Sequence, residues 1–327
     1  MQYRPLGRSD LQVSEISLGC WTLGGLNWID GVPNGWANVD EDEAIRAVHA
    51  ALDAGVNHFD NADCYGNGRA ERLLARALGP RRQDVLIASK VGHFPGTAAH
   101  AYEALHIRHQ CEQSLHNLQT DVLDIYYFHH GDFGPDDRYL DEAIDAMQRL
   151  QREGKIRIIG LSAYSAADFQ RLVPRIRPTV LQSWAHLLDD QFIRPGGPVA
   201  ELLKTHEMSF VAFSPLSQGL LLGKYDAKKP PQFEPGDFRA SQERFSAAGI
   251  ANVNGLVDQI KTRHGARTED LARVALQYVL AHERVACVIP GFRNRAQVAC
   301  NLAAAGRPLT PPQVAELRAL AASHVRT

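Results

Sequence analysis

Four side chains of different chemistry fall at or just after strand-like runs of the sequence. Asp60 and Tyr65 lie in HFDNADCYG, Lys90 in IASKVG and His129 in DIYYFHHGD. An acid, a phenol, an ammonium and an imidazole brought together form a proton-transfer centre. Tyrosine, with an ordinary pKa of about 10, exchanges its proton poorly at neutral pH. A neighbouring Lys90 is expected to favour the phenolate and lower that value. Asp60 would keep Lys90 charged, since a buried lysine without a partner tends to lose its proton. His129 would donate a hydrogen bond to a substrate oxygen or relay a proton. Such a group suits protonation of the alkoxide formed when hydride attacks a carbonyl carbon.

The elements that must position these residues show a regular alternation. Short apolar runs occur at 16–19, 56–59, 85–89, 122–128, 156–162, 179–183, 209–214 and 285–290. They are rich in β-branched and aromatic residues and nearly continuous, the pattern of strands buried on both faces of a parallel sheet. Between them lie amphipathic segments at 41–55, 68–78, 105–118 and 140–153 with apolar residues at helical spacing. Asp40 caps the first and Gly55 closes it. The alternation predicts an α/β fold, a (β/α)8 TIM barrel, in one domain spanning 1–327. A doubly wound open sheet is the runner-up, and it lacks a GxGxxG after an early strand. The residues before Ile16 read as a β-hairpin turning near Gly7–Asp10, placed to plug the bottom of the barrel. The segment 224–245, rich in Pro, Gly and charge, is too long for a plain connection and reads as a functional loop.

Composition narrows the partners. The chain has 327 residues and a net charge of −2, with no clustered basic excess to meet nucleic acid or a membrane surface. No apolar run approaches the ~20 residues of a membrane helix, and the N-terminus has no signal-peptide pattern. Five scattered cysteines without a CxxC pair fit a reducing cytoplasm rather than a disulfide framework. A small-molecule partner is therefore expected.

In barrel enzymes chemistry sits at the C-terminal ends of strands, and there the chain resembles the aldo-keto reductase family. FDNADCYG resembles the family's FDTAxxYG, and SK after a strand with DxYxxH in DIYYFH complete its tetrad. The likeness runs on through RPLGRSDLQVSEISLGCWTLGG, GKIRIIGLSAYS, FVAFSPLSQGLLLGKY and IPGFRNRAQVACN. The long loops resemble the branch with bacterial aryl-alcohol and inositol dehydrogenases and potassium-channel β subunits. The resemblance implies that Tyr65 donates the proton, supported by Asp60, Lys90 and His129. The DxYxxH spacing selects His129 over His130, and strand alternation agrees by putting Ile125, Tyr127 and His129 on one face.

The same resemblance implies an NADPH or NADP cofactor, ahead of NAD, lying under long covering loops. Cys20 and Trp21 match a pair near the nicotinamide, and Ser162 and Gln182 match residues that bond its carboxamide. Phe213 matches the aromatic stacked on the ring. Ser214, Leu216, Gln218 and Gly219 match the loop along the pyrophosphate, and Lys224 and Arg239 match basic residues reaching phosphates. Gly291, Arg293, Gln297 and Asn301 follow the last strand. Arg293, beside a helix N-terminus, would take the 2′-phosphate ahead of Arg295. Gln297 and Asn301, four apart on one helix face, would read the adenine edge.

The chain departs from the family pattern at Asn61, Ala163, Trp184, Ala185 and His186, which puts nicotinamide geometry and substrate preference in question but leaves the tetrad intact. Singly, each tetrad residue has a structural reading, as a salt bridge, a loop anchor or a core histidine. A metal site from His93, His129, His130 and Asp132 is disfavoured because adjacent strand residues face opposite ways, and none is expected. Cys64 reads as a small loop residue. A cofactor-binding redox sensor is the competing function, and His129 favours turnover over it. A metal-dependent barrel hydrolase is the outside alternative. Trp21, Trp28 and Trp36 suggest an aromatic-walled substrate pocket.

Overall fold

In the computed structural model, which describes residues 1–324, eight parallel strands form one sheet: β3 (Leu18–Gly19), β6 (His58–Asp60), β7 (Leu86–Val91), β8 (Leu123–Phe128), β9 (Ile156–Ser162), β10 (Val180–Trp184), β11 (Ser209–Phe213) and β12 (Val285–Ile289). They pair in sequence order, and parallel bridges Ile16–Val288 and Gly19–Gly291 close the last strand onto the first. The sheet is therefore a barrel, as the alternation predicts. Every predicted strand is present, with bounds shifted by at most two residues. Lys90 lies inside β7 rather than after it, because the pairing continues to Val91 opposite Phe128.

Two shells of apolar side chains hold the barrel. Outward residues pack under a ring of helices: α1 (Glu41–Asp53), α2 (Arg69–Leu78), α3 (Ala104–Leu118), α4 (Leu140–Arg152), α5 (Ala166–Ile176), α6 (Pro198–Thr205), α7 (Ala247–His264), α8 (Thr268–Leu280), α9 (Arg295–Leu302) and α10 (Pro311–His324). The Asp40 side chain accepts from Glu43 N–H at 2.8 Å, the predicted cap of α1. Inward residues Ala88, Ile125, Tyr127, Ile158, Val180, Val211 and Cys287 form a separate inner cluster. Leu6, Leu11 and Val13 complete it from below, carried by the hairpin β1 (Tyr3–Pro5) and β2 (Gln12–Ser14). The hairpin is thus the predicted plug, pinned by Gly7 N–H to Ser209 Oγ at 2.7 Å.

Two loops meet on the opposite rim. A small hairpin, β4 (Trp28–Ile29) and β5 (Val32–Pro33), leads to Gly35, which is joined to the long 224–245 loop by Gly35 N–H to Gly236 O at 2.9 Å and Phe238 N–H to Gly35 O at 2.8 Å. Asp237 in that loop also accepts from Ala37 N–H at 3.0 Å. The mouth is therefore spanned by covalently distant but hydrogen-bonded chain.

Candidate active site

At the rim the structure brings Asp60, Tyr65, Lys90 and His129 together. Lys90, fully buried, spends its three donors on Asp60 Oδ1, on Asn61 O at 2.7 Å and on Tyr65 Oη at 3.1 Å. The Tyr65 oxygen thus accepts from Lys90, which leaves the phenol hydrogen free to point elsewhere. Asp60 Oδ2 accepts from Gln182 Nε2 at 2.7 Å, so both carboxylate oxygens are held.

The backbone around Tyr65 is set by close approach. Gly66 has φ +60°, and a Cβ there would fall 2.0 Å from Gly24 O. Only glycine lets the two loops touch, and the contact holds the Tyr65 loop against residues that lead to Trp21.

The charge expected of Tyr65 needs correction. Burial, and next the Asp60 carboxylate, push the Tyr65 phenol well above its ordinary value. The lowering expected from the Lys90 charge does not appear, because Asp60 is paired to that charge and offsets it. Tyr65 is accordingly protonated at neutral pH, the form a general acid requires.

His129 and His130 diverge as the strand alternation requires. His129 is buried beside Tyr65, with ring centroids 6.0 Å apart, and its Nδ1 lies 3.8 Å from Cys64 Sγ. His130 turns away, its Nε2 2.7 Å from Gly92 O. Burial, and then His93, hold His129 well below the usual histidine range, so the ring is neutral. His93 stands 4.1 Å from it, centroid to centroid, and its Nε2 meets Tyr164 Oη at 3.2 Å.

Only one of the three tryptophans expected to wall the pocket stands over Tyr65. Trp21 lies 6.3 Å from the Tyr65 ring and 5.0 Å from Phe238. Trp36 is buried, with Arg239 and Arg293 at 4.4 Å and 6.0 Å from its ring, and Trp28 packs on Gly236 on the outer hairpin. Tyr164 and Trp184, stacked at 6.4 Å, stand beside His93 and Phe213 instead. Tyr164 was not singled out in the sequence, although it stands two positions past Ser162 at a strand end, where barrel side chains reach the mouth.

Beside the tetrad the remaining predicted residues divide. Cys20 is packed in the outer core, whereas Ser162 ends β9 with its hydroxyl uncommitted to any described residue. Phe213 ends β11, half-buried and 6.4 Å from Trp184. The turn that follows is strained: Ser214, Ser217 and Gln218 all have positive φ, at 53°, 46° and 49°. Each costs roughly 1 kcal/mol or more, a cost that clusters where a ligand is gripped. Gly219 completes the turn, and a Cβ there would meet Lys224 Cε at 2.6 Å. Leu216 caps it from a half-buried position.

Lys224, Arg239 and Arg293 converge beside this turn. Arg239 is forked onto buried Asp237, with Nη2 to Oδ2 at 2.7 Å. Lys224 and Arg293 make no ion pair among the described residues; Arg293 Nη1 donates to Ala37 O at 2.6 Å. Burial, and then the Arg239 and Arg293 charges, pull Lys224 below its ordinary value, the mark of cations crowded without enough anion. Arg295, the rejected alternative, is tied to Glu43 at 3.2 Å. Gln297 Oε1 accepts from Arg293 N–H at 2.8 Å, and buried Asn301 donates to Gly291 O at 3.3 Å. Both hold the Gly291–Arg293 loop in shape as well as lining it.

The model describing the aldo/keto reductase family matches residues 15–322. The chain belongs to the aldo-keto reductase family. Over 311 residues it is 30% identical to the L-galactose dehydrogenase of Arabidopsis thaliana, covering 93% of this chain and 88% of that one. It is also 29% identical over 335 residues to a probable voltage-gated potassium channel subunit beta of Oryza sativa, covering 97% and 95%. The holo form of aldo-keto reductase AKR11C1 from Bacillus halodurans superposes with a TM-score of 0.76 at 30% identity, covering 99% of this chain and 96% of that one. This aldo-keto reductase is an oxidoreductase, and the barrel and its branch agree with the resemblance read in the sequence.

Proposed function

We propose that this aldo-keto reductase, one domain over 1–327, is NADP(H)-dependent and moves hydride between the nicotinamide and a carbonyl or alcohol carbon, with Tyr65 as general acid and base. The observation that carries the reading is the Lys90–Tyr65 contact: the ammonium donates to the phenol oxygen at 3.1 Å and frees the phenol hydrogen for a substrate oxygen. When bound, the dinucleotide supplies or accepts the hydride.

The chain's own residues supply the rest. Tyr65 gives its proton to the substrate oxygen, and Lys90 stabilises the phenolate left behind. In the oxidising direction the same phenolate takes the proton back. Asp60, fixed by Gln182, holds Lys90 in place. The Cys64 thiol faces His129 Nδ1, so the ring proton belongs on Nε2, from which it orients the substrate oxygen. The strained turn at 214–219 and the under-compensated pair Lys224 and Arg293 fit a polyphosphate, and the spare arginine favours NADP over NAD. Ser162 has a free hydroxyl for a carboxamide, and Phe213 offers a face to a ring. Trp21, Phe238, His93, Tyr164 and Trp184 surround the substrate, a small carbonyl or alcohol. Cysteines held as free thiols fit work in a reducing cytoplasm.

The test is NADPH binding by fluorescence and NADPH oxidation with a panel of aldehydes, for wild type and Tyr65→Phe. Binding by both with turnover only by wild type supports the reading. Binding without turnover on any carbonyl or alcohol replaces it with a cofactor-binding regulatory module. Absence of nicotinamide binding overturns the cofactor assignment.

A further inference from the structure

Beneath the substrate side of His129 lies a group the proposed reaction does not use. One carboxylate oxygen of Asp63, Cys64 Sγ and a ring nitrogen of His129 all lie within 4.8 Å of one another, and all three residues are buried. No side-chain donor meets either oxygen of Asp63 among the described residues, and only the Cys64 backbone N–H approaches the carboxyl, although the residue is only 4% exposed. A buried carboxyl so poorly provided with donors is costly and marks a missing partner. Cys64 Sγ and His129 Nδ1 face each other at 3.8 Å. Tetrahedral zinc, with a sulfur at about 2.3 Å and a nitrogen at about 2.0 Å, separates two such ligands by roughly 3.6 Å.

We propose that Asp63, Cys64 and His129 form a binding site for a thiophilic divalent cation, for which Zn2+ is the probe. Thiolate, imidazole and carboxylate are the zinc donor set, and three protein ligands leave a fourth position open. On binding, Zn2+ displaces the thiol proton, and any proton on the carboxyl, to solvent, and His129, whose Nδ1 faces the thiol, keeps its proton on Nε2. Any effect of the metal on turnover rests on the catalytic role proposed for His129, whereas binding does not.

The experiment therefore reads binding. Whole purified protein, freed of metal by chelator, is titrated with Zn2+ by calorimetry and with Co2+ by absorption. Wild type is expected to bind one equivalent and to show thiolate-to-cobalt charge transfer. Tyr65→Phe, in which proposed turnover is lost, is expected to behave identically, so failure of the reductase reading is seen separately. Cys64→Ser is expected to abolish the charge-transfer band, and Cys64→Ser and Asp63→Asn to weaken Zn2+ by more than the 10–100-fold that losing even an outer-shell partner costs. Cys300→Ser, at the half-buried thiol on α9, is expected to leave both signals intact. Melting curves show that each variant is folded. A band that survives in Cys64→Ser, unchanged affinity in Asp63→Asn, or no uptake by wild type overturns the site.

Discussion

Gln182 and Asp60 stand on strands β10 and β6, and the Gln182 amide reaches Asp60 Oδ2 at 2.7 Å across the barrel mouth. Lys90 holds the other oxygen, so a single carboxylate links three strands into one polar network. Removing the amide leaves a buried carboxylate oxygen without its donor. Gln182→Leu is expected to lose about 1–3 kcal/mol of stability in denaturant unfolding. It is also expected to lower kcat by loosening Lys90 under Tyr65. Gln182→Glu places a like charge against Asp60 and is expected to lose more activity at neutral pH, part of which returns as the pH is lowered. Equal activity of Gln182→Leu and wild type would show that the network does not set Lys90.

The Tyr65 loop depends on a contact between two glycines. With φ +60° at Gly66 and Gly24 O at 2.0 Å from an added Cβ, Gly66→Ala can be accommodated only if the loops part. Misplacing the phenol by about 1 Å can cost about 100-fold in rate. Gly66→Ala is therefore expected to cut kcat at least tenfold while NADPH still binds, because the phosphate loops lie elsewhere. Loss of NADPH binding in parallel with kcat would instead point to collapse of the mouth as a whole.

Coenzyme preference is predicted to reside in Arg293 more than in its neighbour. Arg293 has no carboxylate partner among the described residues, whereas Arg295 pairs with Glu43. A charge-assisted phosphate contact is worth about 1.4 kcal/mol or more, a tenfold change. Arg293→Ala is expected to raise KM for NADPH tenfold or more and to change KM for NADH by less than about threefold. Arg295→Ala is expected to change neither. Equal losses for both coenzymes in Arg293→Ala would assign it to the shared pyrophosphate.

How much of this was legible in the sequence follows from which physics each residue obeys. The strands were readable because a parallel strand buried on both faces must be continuously apolar, and 156–162 was read with its bounds unchanged. The tetrad was readable because strand ends in a barrel converge, so Asp60 at the end of β6 and His129 after β8 had to approach. The sign of the Tyr65 shift was not, since it depends on burial and on Asp60 offsetting Lys90, which only the folded chain brings about. Trp28 and Trp36, read as pocket walls, pack away from Tyr65 for a related reason. Their loop folds onto 224–245 through backbone hydrogen bonds, and such bonds leave no signature in residue type. The Asp63–Cys64–His129 group joins residues 65 positions apart whose proximity is set by loop conformation.

Buried histidines give the fold its own acid sensitivity. Burial lowers His58 and His186 from 6.5 to about 4 in the folded chain. Between these values the unfolded chain binds the proton and the folded one does not. Stability from these groups is therefore full above pH 6.5, falls as the pH drops towards 4, and levels off below it. Each can withdraw on the order of 3 kcal/mol by that point. Melting temperature is expected to fall steadily from pH 7 to pH 4.5. His58→Asn, which removes one titrating ring beside Cys287, is expected to melt lower at pH 7 but to show a shallower fall. An unchanged slope in that variant would mean that His58 gains no proton on unfolding in this range, and that other groups drive acid unfolding.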